Sequence, residues 1–223
     1  MATNIAKLQE SVKTLKQLYG VVMGLGLTTA LRHLVKVDEH AGTTAVLDTA
    51  AIPWVIVICV TLLPFYHGAT RHMDDAYVLS PTRIRAGAVL LDYSLLFLGA
   101  ASFFWLSLVV GNHSLFCWGY IATLAIDIVW ALSAIFLVAA GQYAVRWLAI
   151  NAFVVVFILL VKYTPLLDSA PPEWLVLVAC LRTVIDYWMC WPTYFPPPEP
   201  EQALNEPEGG SAPKLQKPPG ATG

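Results

Sequence analysis

The sequence predicts an all-α fold: a polytopic transmembrane helical bundle of about six spanning helices, followed by a disordered C-terminal tail. Three observations carry that expectation. Of 223 residues, 57% are hydrophobic and 13% charged, where a soluble domain carries roughly 25% charged residues. The apolar residues gather into runs close to the ~20 residues that cross a bilayer as a helix. Those runs, AVLLDYSLLFLGAASFFWLSLVVG among them, lack the alternation that the ~10-residue strands of a membrane barrel require.

Residues 1–14 are a polar N-terminal segment, residues 15–191 the transmembrane domain, and residues 192–223 the tail. The first apolar segment runs from Leu15 to Val35. It is marginal in length, and Lys16 and Arg32 at its ends can snorkel to the interfaces. It holds Gly20-Val-Val-Met-Gly24, a small-xxx-small spacing that lets helices approach closely. The second segment spans Ala50 to Tyr66, the third Ile84 to Val110 and the fourth Leu115 to Ala140. The fifth runs from Ala144 to Pro165 and the sixth from Glu173 to Trp191.

Lysine and arginine set the orientation, because cytoplasmic loops are enriched in them. Six crossings put Lys7, Lys13, Lys16, Arg71, Arg83, Arg85, Arg146, Lys214 and Lys217 on one side. Only Arg32, Lys36 and Lys162 fall on the other. If the first segment did not cross, its basic residues would change sides and the bias would vanish. Both termini are therefore expected in the cytoplasm. The polar residues 1–16 do not form a cleavable leader, so a bacterial inner membrane is the expected location. Trp54, Trp118, Tyr163 and Trp174 fall at the outer interface. Tyr66, Tyr143, Trp147, Trp188 and Trp191 fall at the inner one, and both sets are expected as anchoring belts.

The tail is rich in proline and poor in large aliphatic residues, so it cannot bury enough apolar area to order itself. A net charge of −2 gives no electrostatic support to nucleic-acid binding. Cys59, Cys117, Cys180 and Cys190 sit in or beside apolar runs without metal-ligand spacing, as small buried hydrophobes would. No cofactor and no metal site is expected.

Charged side chains within a bilayer cost at least ~2.5–3.5 kcal/mol each. Asp92, Asp127, Arg182 and Asp186 lie well inside predicted helices, with Asn151 a fifth polar residue. At about 1.5 Å per residue, Asp127 and Arg182 share the midplane, which predicts an interhelical ion pair. Asp186 follows Arg182 by one turn, and Asp92 and Asn151 lie at that inner level. One polar cluster of these five residues is expected inside the bundle, suited to a proton relay, a cation path or a structural clamp. The Asp-Tyr pairs at Asp92 and Asp186 both fall on the inner side, which an inverted repeat does not allow.

A second candidate is the cytoplasmic loop expected after the second helix, where His67, Arg71, His72, Asp74 and Asp75 lie close together before Tyr77. The spacing of His67 and His72 resembles one histidine box of the membrane di-iron hydroxylases and desaturases. That family needs several such boxes, and His33, His40 and His113 fall on the opposite side, so membership is excluded. The loop is a candidate for binding a ligand or partner. Three functions are then open. The first is an oligomeric, channel-like or proton- or ion-translocating bundle. The second is a regulatory or interaction subunit, holding a cytoplasmic partner through residues 67–77 and the tail. The third is an intramembrane enzyme. The expected partners are the lipid bilayer, further copies of the chain and a cytoplasmic protein.

Overall fold

The computed structural model describes residues 2–38, 44–79, 86–138, 142–164 and 171–196. Helix α1 (Ala2–Arg32) leads into a small antiparallel hairpin, β1 (Val35–Asp38) and β2 (Thr44–Leu47), in register from Val35 opposite Leu47 to Asp38 opposite Thr44. Helices α2 (Ile52–Met73), α3 (Ala86–Leu108), α4 (His113–Ser133), α5 (Gln142–Lys162) and α6 (Glu173–Met189) follow, and a short α7 (Trp191–Tyr194) ends the described chain.

Local chemistry sets these boundaries. The Asp48 side chain accepts from Ala50 N at 3.2 Å and pairs with Lys36 Nζ at 2.7 Å, tying the hairpin to the start of α2. The hydrogen bond from Lys36 holds the Asp48 carboxyl below the usual carboxylate range. Between α3 and α4 the chain turns at Gly111, whose φ of +88° only glycine adopts without strain. Asn112 then caps α4, its side chain accepting from Leu115 N at 3.1 Å. Pro171 and Pro172 precede α6, and Glu173 sits in its first turn, where the helix dipole favours an anion.

Packing contacts order the helices as a closed ring: α2, α1, α3, α4, α5, α6 and back to α2, with α2 also against α3. The outside of this ring is apolar. Leu90, Phe136, Phe153 and Trp188 are each more than 70% exposed. The inside carries Thr61, His72, Asp92, Ser107, Thr123, Asn151, Arg182 and Asp186, all buried. This polarity is the reverse of a soluble protein's and fits a lipid-facing surface. Among the described residues, four helical stretches are long and apolar enough to cross a membrane: Thr49–Val78, Gly87–Leu108, His113–Phe136 and Gln142–Lys162.

Several expectations need correction. Residues 67–77 are not a loop. Helix α2 continues through them to Met73, and the more widely wound Asp74–Leu79 prolongs it. Pro64 and Gly68 resemble a helix end in sequence, but other helices compensate for both. Pro64 has no N–H for the Val60 carbonyl one turn back, and Thr183 Oγ1 of α6 donates to that oxygen at 2.8 Å. Gly68 accepts the indole of Trp147, whose Cζ2 lies 2.8 Å from where a Cβ would stand.

In α1 the helix begins at Ala2, well before Leu15. Its close-approach glycine is Gly26, with the Phe104 backbone N of α3 at 3.2 Å from a Cβ position. Gly20 faces the Tyr66 ring and Gly24 faces open space. Residues 192–194 belong to α7, and Tyr194 is 1% exposed. Residues 197–223 of the expected tail, with Lys214 and Lys217, lie outside the described residues, as do Arg83 and Arg85. Trp54 and Trp147, expected in the belts, turn inward and are 5% and 3% exposed. Cys117 and Cys190 are buried, Cys59 and Cys180 half-buried, and all four are free.

Candidate functional site: a buried polar network

The polar residues fall into two groups, each centred on a buried aspartate. The first gathers on Asp92 of α3. Its Oδ2 accepts from His72 Nε2 at 2.7 Å and from the Tyr77 hydroxyl at 2.5 Å, and its Oδ1 from Trp130 Nε1 at 2.6 Å. Three donors from α2, its widened extension and α4 thus surround one carboxylate, replacing the water it lost. The other ring nitrogen of His72, Nδ1, lies 3.3 Å from the hydroxyl of Tyr143, a half-buried residue in the first turn of α5. With Nε2–H donating to Asp92, the neutral imidazole accepts at Nδ1 from Tyr143. The imidazolium would instead donate at both nitrogens. The two arrangements differ by one proton on His72 and by the direction in which the Tyr143 hydroxyl points.

The second group gathers on Asp186 of α6. Its Oδ1 accepts from Trp147 Nε1 and from the Tyr194 hydroxyl, each at 2.9 Å. Arg182 Nη2 lies 3.4 Å from its Oδ2. Arg182 Nε donates to Asn151 Oδ1 at 3.0 Å, and Asn151 Nδ2 donates to Asp127. The predicted Asp127–Arg182 pair is therefore mediated. Asn151 stands between the two charges, its oxygen toward the guanidinium and its nitrogen toward the carboxylate, the orientation their charges require. The Arg182 guanidinium also lies 4.8 Å over the Phe65 ring.

The five residues expected as one cluster thus separate. Asp127, Asn151, Arg182 and Asp186 form a continuous series, while Asp92 belongs to the His72 group. The two aspartates have matching surroundings, each with one indole N–H and one tyrosine hydroxyl. The indole rings that serve them, Trp130 and Trp147, pack 5.5 Å apart and join the groups. A cavity of about 20 Å³ lies inside the bundle, and Tyr19, Asp127, Trp130, Trp147, Arg182 and Asp186 are among the residues that line it.

The residues of the expected loop site disperse. His72 is fully buried on Asp92. His67 packs its ring against Tyr194 at 4.7 Å. Arg71 donates to the Tyr194 carbonyl, with Nη2 at 3.3 Å. Asp74 takes Lys16 of α1 at 2.7 Å, and Asp75 is half-buried near the Tyr143 end. Among the described residues, no three His, Cys, Asp or Glu side chains gather as a metal site would need.

Trp130, Trp147, Tyr77, Tyr143 and Tyr194 are the residues that sequence reasoning missed. A usable signal existed. A buried indole N–H or phenol seeks a partner, and Trp130 lies within an apolar run, too deep for a belt. On the side of this network nearer the α3–α4 turn, Thr61 Oγ1 meets the Tyr120 hydroxyl at 3.1 Å. Beyond it the interior is filled by Trp54, Phe116, Leu106, Ile158 and Leu175, all buried. Comparison with known protein families, characterised proteins and solved structures finds no match for the chain.

Proposed function

We propose that this chain is a membrane protein of six crossings that moves protons through its interior, in a state whose polar network communicates with one end only. The observation that supports this reading is two hydrogen-bonded groups of polar side chains inside apolar helices, in contact through the Trp130 and Trp147 rings. One runs from Tyr143 and His72 at one end of the bundle to Asp92 and Trp130. The other runs from Trp147 and Asp186 through Arg182 and Asn151 to Asp127 near the middle. Several buried charged groups cost many times what one structural clamp repays.

The size of the interior in this state favours protons over larger ions. A cavity of about 20 Å³ admits about one water molecule, too little for a hydrated metal cation but enough for a proton passed along hydrogen bonds. The apolar plug around Phe116 closes the outer half, so transfer across requires a second conformation. The wide turns of Asp74–Leu79 and Ala134–Val138 flank the network and are natural places for such a change.

The ring supports six crossings: α1 packs against α2 and α3, and α6 against α5 and α2, and α2, α3 and α5 are apolar enough to span. Helix α6 is short for a span at 17 residues, and two of its three charged side chains, Arg182 and Asp186, face inward. An even number of crossings puts both termini on one side, the cytoplasmic side by the distribution of basic residues. The network is complete within one chain and needs no second copy. Of the five side chains behind a docking role for residues 67–77, His72 is buried, whereas His67, Arg71, Asp74 and Asp75 are half-buried.

Purified protein in liposomes loaded with a pH-sensitive dye tests the reading. A potassium diffusion potential is expected to drive proton entry in wild type and much less in Asp92→Asn or Asp127→Asn. Absence of flux in wild type, or equal flux in all three, overturns it.

A further inference from the structure

We infer that the cavity inside the bundle is a binding site for a single water molecule, and that this water links the Asp127 and Asp186 carboxylates. The role of the water in transfer rests on the proton-moving reading above; the site itself does not. Two observations support it. The cavity is lined by Asp127, Arg182 and Asp186, and its volume of about 20 Å³ suits one water. Arg182 is 2% exposed, and its Nη1, unlike its Nε and Nη2, finds no hydrogen-bond partner among the described residues.

A buried guanidinium N–H left without an acceptor costs about 1–3 kcal/mol or more. The ligand that satisfies it must accept one hydrogen bond from Nη1 and face two carboxylates. Water accepts from the guanidinium and donates twice, matching one donor and two acceptors. A small anion is repelled by the two aspartates, and a cation is repelled by Arg182, so neither fits the same three groups. Without the water, the series runs from Asp186 to Asp127 only through the guanidinium and the Asn151 amide. Neither of those exchanges a proton readily. With it, the two carboxylates share an exchangeable hydrogen-bond chain.

Gly99 offers a test that removes no polar group. It lines the cavity and is buried, and a Cβ built there has no neighbour closer than Ile126 Cγ2 at 4.0 Å. Gly99→Ala therefore fills part of the void with a methyl group without a clash. Gly24→Ala, at a helical site with nothing within 4 Å of the new methyl, is the control.

A high-resolution structure of the full chain is expected to show one water within hydrogen-bond distance of Arg182 Nη1 in wild type and in Gly24→Ala, and none in Gly99→Ala. Infrared spectra in water enriched in heavy oxygen should show the matching loss of one buried O–H stretch. Proton flux in Gly99→Ala is expected to fall at least about tenfold, the effect on a rate of losing one ordinary hydrogen bond. No water in wild type overturns the site, whatever the flux. Undiminished flux in a Gly99→Ala protein that has lost the water overturns the link. If the water is present but wild type carries no flux, the site stands and the proton-moving reading falls.

Discussion

Pro64 interrupts the hydrogen-bond ladder of α2 in the middle of an apolar segment, and Thr183 of α6 supplies the missing donor to the Val60 carbonyl at 2.8 Å. Thr183→Val keeps the side-chain shape and removes that donor. Interhelical hydrogen bonds in membrane proteins contribute about 0.6 kcal/mol on average and up to about 1.7. An unsatisfied buried carbonyl costs about 1–3 kcal/mol. A destabilisation of about 1–2 kcal/mol is therefore expected.

Pro64→Ala makes the prediction specific. Alanine restores an N–H to residue 64, which can donate to Val60 O in the ordinary helical way. In the Pro64→Ala background, Thr183→Val is expected to cost less than about 0.5 kcal/mol, a coupling of about 1 kcal/mol in the double-mutant cycle. Reversible unfolding in mixed detergent micelles, followed by circular dichroism, measures all four proteins. If Thr183→Val costs the same with and without Pro64, Thr183 does not compensate for the proline. The account of why α2 runs on through residues 67–77 is then wrong.

Four further outcomes are expected. Asn151→Leu leaves both Asp127 and Arg182 Nε without their amide partner, and should destabilise by about 3 kcal/mol or more in the same titration; Asp127→Asn, which keeps an acceptor, should cost clearly less. Gly68→Ala drives a methyl to within 2.8 Å of the buried Trp147 ring, so a loss of about 1–3 kcal/mol is expected, whereas Gly24→Ala should be neutral or stabilise by up to about 1 kcal/mol. Trp130→Phe withdraws one of three donors from Asp92 and should cost about 1–3 kcal/mol, measured by the same unfolding transition. Reporter fusions at the two ends should both report the cytoplasm, and opposite locations would remove six crossings.

The apolar helices were legible because a long run of apolar residues has few other uses. Segment three, predicted over 84–110 and found at Ala86–Leu108, shows how far run length alone can go. The course of residues 67–77 was not legible. Pro64 and Gly68 carry the local chemistry of a break, and the groups that cancel it, Thr183 and Trp147, lie more than 75 residues away in sequence. The cost of burying charge picked out Asp92, Asp127, Arg182 and Asp186, and helix rise placed Asp127 and Arg182 at one depth. Depth says nothing about rotation around the helix axis, so Asn151 between the two charges, and His72 on Asp92, could not be read. Trp147 was missed for a related reason: an indole near a helix end reads as an anchor whether it faces lipid or a carboxylate.

The central claim, that this interior passes protons and not larger ions, is tested most directly by voltage-driven pH change in proteoliposomes. The rate should be compared between buffers containing sodium and buffers in which a bulky organic cation replaces it. The account predicts a clear pH change at the same rate in both. No pH change in wild type, or a sodium flux comparable to the proton flux, would contradict it.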